Sequence, residues 1–177
     1  MSEAFASYHQ LIARLDELCK GITAALGDAL TCSAGCSSCC QAISVFPVEA
    51  AAMLAGIMTL PADEQLKIQQ ALASPQGGSC ALLHHDLCLV YRFRPVICRT
   101  HGVPLLVQEP GQATTVAVCP LNCTGMQSFP KETMLDLARI NQLLVAINLM
   151  FVKHDERHWP ERVALADLGA YLCKLSP

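Results

Sequence analysis

Apolar residues return at helical spacing over the first stretch of the chain. Leu11, Leu15, Leu18, Ile22, Ala25 and Leu26 fall on one face, which predicts an amphipathic helix from Glu3 to about Leu30 with Ser2 as its N-cap. The period is lost from Thr31 to Ser44, where small residues and cysteines follow one another, so this stretch reads as a loop. Pro47 stands where a first helical residue stands, and Val48 to Met58, rich in Ala, Leu and Met, continues it as helix. Thr59-Leu-Pro-Ala-Asp-Glu opens a further short helix to about Ala73.

Ser74-Pro-Gln-Gly-Gly-Ser reads as a turn, and irregular chain is expected through the cysteines that follow. Two β-branched-rich runs, Val103 to Gln108 and Ala113 to Val118, flank Glu109-Pro-Gly-Gln and predict a β-hairpin whose second strand leads to Cys119. The helical period resumes from about Pro130 to Lys153 through Met134, Leu137, Ala138, Leu144, Ile147 and Phe151. After a break at Trp159-Pro160, a last helix is expected from Val163 to Leu175. The expected fold is mainly α with a small β-hairpin, a helical shell around an irregular cysteine-rich middle spanning residues 32–123. A length of 177 residues suits a single domain, 1–177, with a real core.

Composition narrows the function classes. Hydrophobic residues are 53% and charged residues 15% of the chain, which describes a folded protein with a sparsely charged surface. A net charge of −3 gives no general attraction to phosphate backbones or anionic lipid, so nucleic acid is not an expected partner. The first residues form neither a basic nor an apolar leader region. The most apolar long run, Met134 to Val152, is interrupted by Asp136, Arg139, Asn141, Gln142 and Asn148, which a membrane span tolerates poorly. The expectation is a cytoplasmic protein without a membrane partner, where thiols stay reduced.

In that setting the cysteines change the picture. Nine of the eleven fall in three groups: Cys32, Cys36, Cys39 and Cys40; Cys80, Cys88 and Cys98; Cys119 and Cys123. Packing does not call for thiols at this density, and clustered thiols in a reducing compartment hold metal or do redox chemistry. The C-x2-C spacing lets two sulfurs turn toward one point, and Gly35 can take the positive φ of a tight turn. The adjacent Cys39-Cys40 pair serves two metals, bridges one pair, or divides into a ligand and a packed residue. Around Cys98 runs a cationic stretch, Tyr91-Arg-Phe-Arg-Pro-Val-Ile-Cys-Arg99, whose guanidinium groups would offset thiolate charge or grip an anionic substrate. Cys19 and Cys173 lie on apolar faces of expected helices and read as core residues. His84, His85 and His101 are lesser candidates as nitrogen ligands. Glu49 reads as a first-turn residue facing the helix dipole, and Trp159, His154 and His158 as packing and surface residues.

The segments Cys36-Ser-Ser-Cys39-Cys40 and Cys80-x7-Cys88-Leu-Val-Tyr91-Arg-Phe-Arg94-Pro95-Val-Ile-Cys98-Arg99 resemble the cysteine-cluster family named for its CxxCxxCC motif. Its members are described as zinc- or iron-chelating domains, and the flagellin lysine N-methylase, associated with an iron–sulfur cluster, is similar to them. The likeness covers roughly residues 32 to 100 and departs at Cys32, which is separated from Cys36 by three residues instead of two. The resemblance implies Cys36, Cys39, Cys40, Cys80, Cys88 and Cys98 as ligands, supported by Tyr91, Arg94, Pro95 and Arg99.

Thiolate ligation suits zinc or an iron–sulfur cluster and suits hard cations poorly. Three functions stay open: a metal-binding protein, an iron–sulfur enzyme like the lysine methylase, and a thiol–disulfide redox protein. A protein or small-molecule partner is compatible with each. HExxH, G-x-S-x-G and Walker A motifs are missing, and His154-Asp-Glu156 follows the C-x-x-C pairs, the reverse of a zinc deaminase.

Overall fold

The computed structural model describes residues 3–75, 77–108 and 111–175. Ser2, the expected N-cap, Gln76 of the expected turn, and Glu109 and Pro110 of the hairpin turn lie outside the described residues. The protein is mainly α with small β elements. In chain order these are α1 (Glu3–Leu26), β1 (Ser44–Val45), α2 (Pro47–Ile57), α3 (Ala62–Ala73), β2 (Leu83–His84), β3 (Leu87–Cys88) and α4 (Val96–Thr100). They continue as β4 (Leu105–Val107), β5 (Thr115–Ala117), β6 (Leu135–Asp136), α5 (Leu137–His154), β7 (Val163–Ala164) and α6 (Leu168–Leu175). Among the described residues no helix is long and apolar enough to cross a membrane.

The chain divides into two compact units. The first comprises Glu3–Ser33 and Val96–Leu149. Its α1 buries Tyr8, Leu15 and Ile22 at helical spacing and packs on α4, whereas Leu18, expected on the same face, is 40% exposed. The expected hairpin is present as β4 and β5 in antiparallel register, Leu105 opposite Ala117 and Val107 opposite Thr115. A third strand, β6, adds parallel to β4 and pairs Leu105 with Leu135. This shortens the helix expected from Pro130. Thr133 Oγ1 bonds the Pro130 carbonyl (2.7 Å), Leu135 N–H joins Pro104 O (3.0 Å), and α5 begins only at Leu137, where Asp136 Oδ1 accepts from Arg139 N–H (2.9 Å).

The second unit comprises Ala34–Pro95 and the chain from Met150 onward. Its core gathers Val45, Met53, Leu54, Ile57, Ile68, Leu72, Leu82, Val90, Val163, Leu165, Leu168 and Leu172. Pro47 opens α2 as its first residue, and the helix is buried on nearly every side. Glu49 is 3% exposed and its Oε2 accepts the Phe46 N–H (3.0 Å), which ties off an orphan donor in the first turn. Gly56 gives α2 a bare patch that the Phe93 ring fills, so the turn Tyr91–Phe93 is seated directly on the helix.

The helix expected from Val163 is shorter. Val163 and Ala164 pair with Val45 and Ser44, a single 3-10 turn covers Leu165–Asp167, and α6 starts at Leu168. At the break before it, Trp159 stacks on Tyr171 with ring centroids 4.9 Å apart. Asp155 accepts hydrogen bonds there from Trp159 Nε1 (3.1 Å), from Arg157 Nε (2.8 Å) and from Arg157 N–H (3.0 Å).

Candidate metal centre

The stretch expected to be irregular around Cys80 and Cys88 is built. Leu83 pairs with Cys88 and His84 with Leu87, leaving His85 and Asp86 as a two-residue turn. Both have positive φ, 47° and 59°, the backbone of a type I′ hairpin. Asn-Gly announces such a turn in a sequence; His-Asp signals it only weakly. Asp86 also accepts from Ser37 Oγ (2.6 Å), which fastens the loop between Cys36 and Cys39 to the hairpin turn.

A second tie joins the same two segments. Cys80 N–H donates to the Cys40 carbonyl (3.0 Å), and Gln41 bridges to Ser79. Cys40 N–H turns back to Ser37 O (2.9 Å) and Gln41 N–H to Cys39 O (3.0 Å). Cys39, Cys40, Cys80 and Cys88 thereby share one electrostatic neighbourhood. Burial, then the sulfurs of Cys39, Cys88 and Cys80, push the Cys40 thiol up from 9.0 to about 11. Burial raises Cys80 and Cys88 as well. Both are opposed by a backbone hydrogen bond from two residues on, Leu82 for Cys80 and Val90 for Cys88. Arg94 further opposes the rise at Cys88; its guanidinium lies 3.5 Å from the Tyr91 ring centroid and its Nε donates to Tyr91 O (3.0 Å).

Cys32, Cys98, Cys119 and Cys123 belong to the first unit. Cys98 lies half-buried on α4. Arg99 follows it, with Nη1 bonded to both oxygens of Asp16 on α1 (2.8 and 2.7 Å). Cys119 is half-buried after β5, and Cys123 is buried, with φ of 53° and a thiol raised by burial. The Cys123 N–H reaches Ala29 O. Cys32 is exposed and receives a hydrogen bond from Asn122 Nδ2 (3.2 Å).

Of the two cysteines read as core, Cys19 is half-buried and its Sγ donates to Arg99 O (3.6 Å). Cys173 is a correction: it is exposed, because the buried stripe of α6 runs through Leu168 and Leu172 and position 173 lies one helical step, about 100°, round from it. His84, His85 and His101 are exposed, the first two in edge contact with each other at 4.1 Å.

Among the described residues no three His, Cys, Asp or Glu side chains stand close enough to enclose an ion. The donors themselves are soft sulfurs, with backbone hydrogen bonds at Cys80 and Cys88 and the positive charge of Arg94 acting on Cys88, a set that fits zinc or iron and does not fit a hard cation. Residues 31–124 match the family called CxxCxxCC, described as a "putative zinc- or iron-chelating domain". The chain belongs to that family. Within the CxxCxxCC match lie all nine clustered cysteines and the Tyr91–Arg99 stretch, while Cys19 and Cys173 fall outside it. No curated protein and no solved structure matches the chain.

Proposed function

We propose that the protein binds zinc or iron through thiolates, with Cys36, Cys39, Cys40, Cys80 and Cys88 as donors in the second unit. Cys32, Cys98, Cys119 and Cys123 are the donors of the first unit. The observation that carries the reading is the concentration of Cys39, Cys40, Cys80 and Cys88 around two backbone ties and one hairpin. Cys39, Cys88 and Cys80 all raise Cys40, and Cys80 raises Cys88, so thiols gathered this way are poor neighbours when each must ionise alone. A divalent cation removes that conflict, since one ion attracts several thiolates at once and displaces their protons. The backbone donors at Leu82 and Val90, with Arg94 near Cys88, supply hydrogen bonds and positive charge of the kind that steadies bound sulfur.

The raised thiols also weigh against thiol–disulfide exchange as the main activity, because an attacking cysteine works as a thiolate with a pKa near or below ambient. A reducing, cytoplasmic setting is the compartment this reading requires.

Elemental analysis and an absorption spectrum of anaerobically purified protein test the proposal. Bound zinc without colour, or iron with visible sulfur-to-iron absorption, is the expected result. Protein that carries neither metal after anaerobic loading with zinc or ferrous iron, and whose cysteines all titrate as free thiols, would refute it.

A further inference from the structure

Asn122 belongs to none of the cysteine motifs, yet it touches a candidate ligand directly. Its side chain is buried, and each of its polar positions is used. Oδ1 accepts from the Thr31 N–H (2.9 Å) and the Thr31 hydroxyl (3.0 Å). Nδ2 donates to the Gly102 carbonyl (2.7 Å) and to Cys32 Sγ (3.2 Å). Exchanging the amide oxygen and nitrogen would set an oxygen against the Gly102 carbonyl and N–H groups against the Thr31 N–H, so the orientation is determined.

Gly102 completes the enclosure. Its φ is +101°, and a Cβ there would come within 2.8 Å of Cys32 Sγ and 3.2 Å of Asn122 Nδ2. The sulfur of Cys32 is therefore held between an amide donor and a backbone that only glycine leaves open. The exposure of Cys32 makes this hold the more informative, since an exposed cysteine side chain would otherwise rotate among its rotamers.

We infer that Asn122 is a positioning residue that holds the Cys32 sulfur for metal coordination and donates a hydrogen bond to it, with Gly102 keeping the space clear. This role rests on the metal-binding reading. It also gives the departure at Cys32, one residue further from Cys36 than the family motif has it, a local means of placing its sulfur.

The test is a double-mutant cycle on the full chain loaded anaerobically with zinc or with ferrous iron, read as the rate of metal release to a chromophoric chelator. Asn122→Asp keeps the acceptor facing Thr31 and removes both donors. It should speed release about 10-fold, the low end of what lost support of a ligand costs. In a Cys32→Ser background the same change should have no further effect. Release from Asn122→Asp at the wild-type rate, or an undiminished effect in the Cys32→Ser background, overturns the inference. Should Asn122→Asp fail to fold, Asn122→Ser withdraws the donor from Cys32 without adding a charge. It should show the same faster release, again cancelled by Cys32→Ser, and a normal rate would overturn the role. If wild type itself takes up neither metal, the metal reading fails and this role falls with it, an outcome distinct from additive variants of a protein that does bind.

Discussion

Cys40 is held above the ordinary thiol range by its burial and by three sulfurs around it, and the consequence for pH is definite in sign. The folded, metal-free protein holds the Cys40 proton more tightly than the unfolded chain does. Its stability should therefore fall as pH rises from 9.0 toward about 11. Metal-loaded protein, in which the thiol has already lost its proton, should not show that fall; parallel denaturant titrations across this window measure the difference. Metal uptake should likewise weaken as pH drops, because each ligand gained releases a proton. Cys40→Ser and Cys88→Ser should lower metal content, while Cys173→Ser, outside the family match and exposed, should leave it unchanged. Elemental analysis of the three purified variants checks this, and equal content in all would exclude Cys40 and Cys88 as ligands.

At the other end of the titration range stands Asp155. Hydrogen bonding from Arg157, helped by Trp159, holds its carboxyl down from 3.8 to about 2. A depressed carboxyl contributes stability that is present above 3.8 and is lost as pH falls toward 2. Trp159 is the chain's one tryptophan, so its emission reports the loss directly. Asp155→Asn should remove the acid dependence of that signal in this window.

Elements place these residues. The hairpin of β2 and β3 carries Cys88 opposite Leu83, and its turn is joined to the cysteine loop through Asp86 and Ser37. Asp86→Asn tolerates the positive φ but exchanges a charged acceptor for a neutral one. It should keep the fold and loosen the loop, seen as faster metal release without a change in far-UV circular dichroism. Gly56 tests the seat of the Tyr91–Phe93 turn. A methyl group there collides with the Phe93 ring, so Gly56→Ala should destabilise by about 1–3 kcal/mol, the usual cost of overpacking. Exposed Gly21, with nothing near its absent side chain, is the control, and Gly21→Ala in mid-helix should stabilise by a few tenths to about 1 kcal/mol.

For the molecule as a whole, metal and fold are linked: any ion that binds only the folded state adds RT ln(1 + [L]/Kd) to its stability. Chelation should lower the melting temperature of purified protein, and an unchanged melt after confirmed metal removal would mean that the donors hold metal without supporting the fold. The second unit's aliphatic core gives the comparison, since Leu54→Ala should cost about 2–5 kcal/mol whether or not metal is present.

How much of this was legible beforehand follows the range of the forces involved. Helices α1, α2 and α3 and the β4–β5 hairpin were readable because period, Pro47 and β-branched runs act within a few residues. The starts of α5 and α6 were not, since β6 and β7 recruit Leu135–Asp136 and Val163–Ala164 through partners far along the chain. The β2–β3 turn at His85-Asp86 lacked the glycine that usually marks positive φ. Nine cysteines and their family motif were plain in the order of residues, because thiol density and spacing are local properties of the chain. Which groups stand beside those sulfurs was decided only on folding. Asn122 reaches Cys32 across 90 positions and Ser37 reaches Asp86 across 49, and such contacts exist only once backbone hydrogen bonding and core packing have brought distant segments within 3 Å or so.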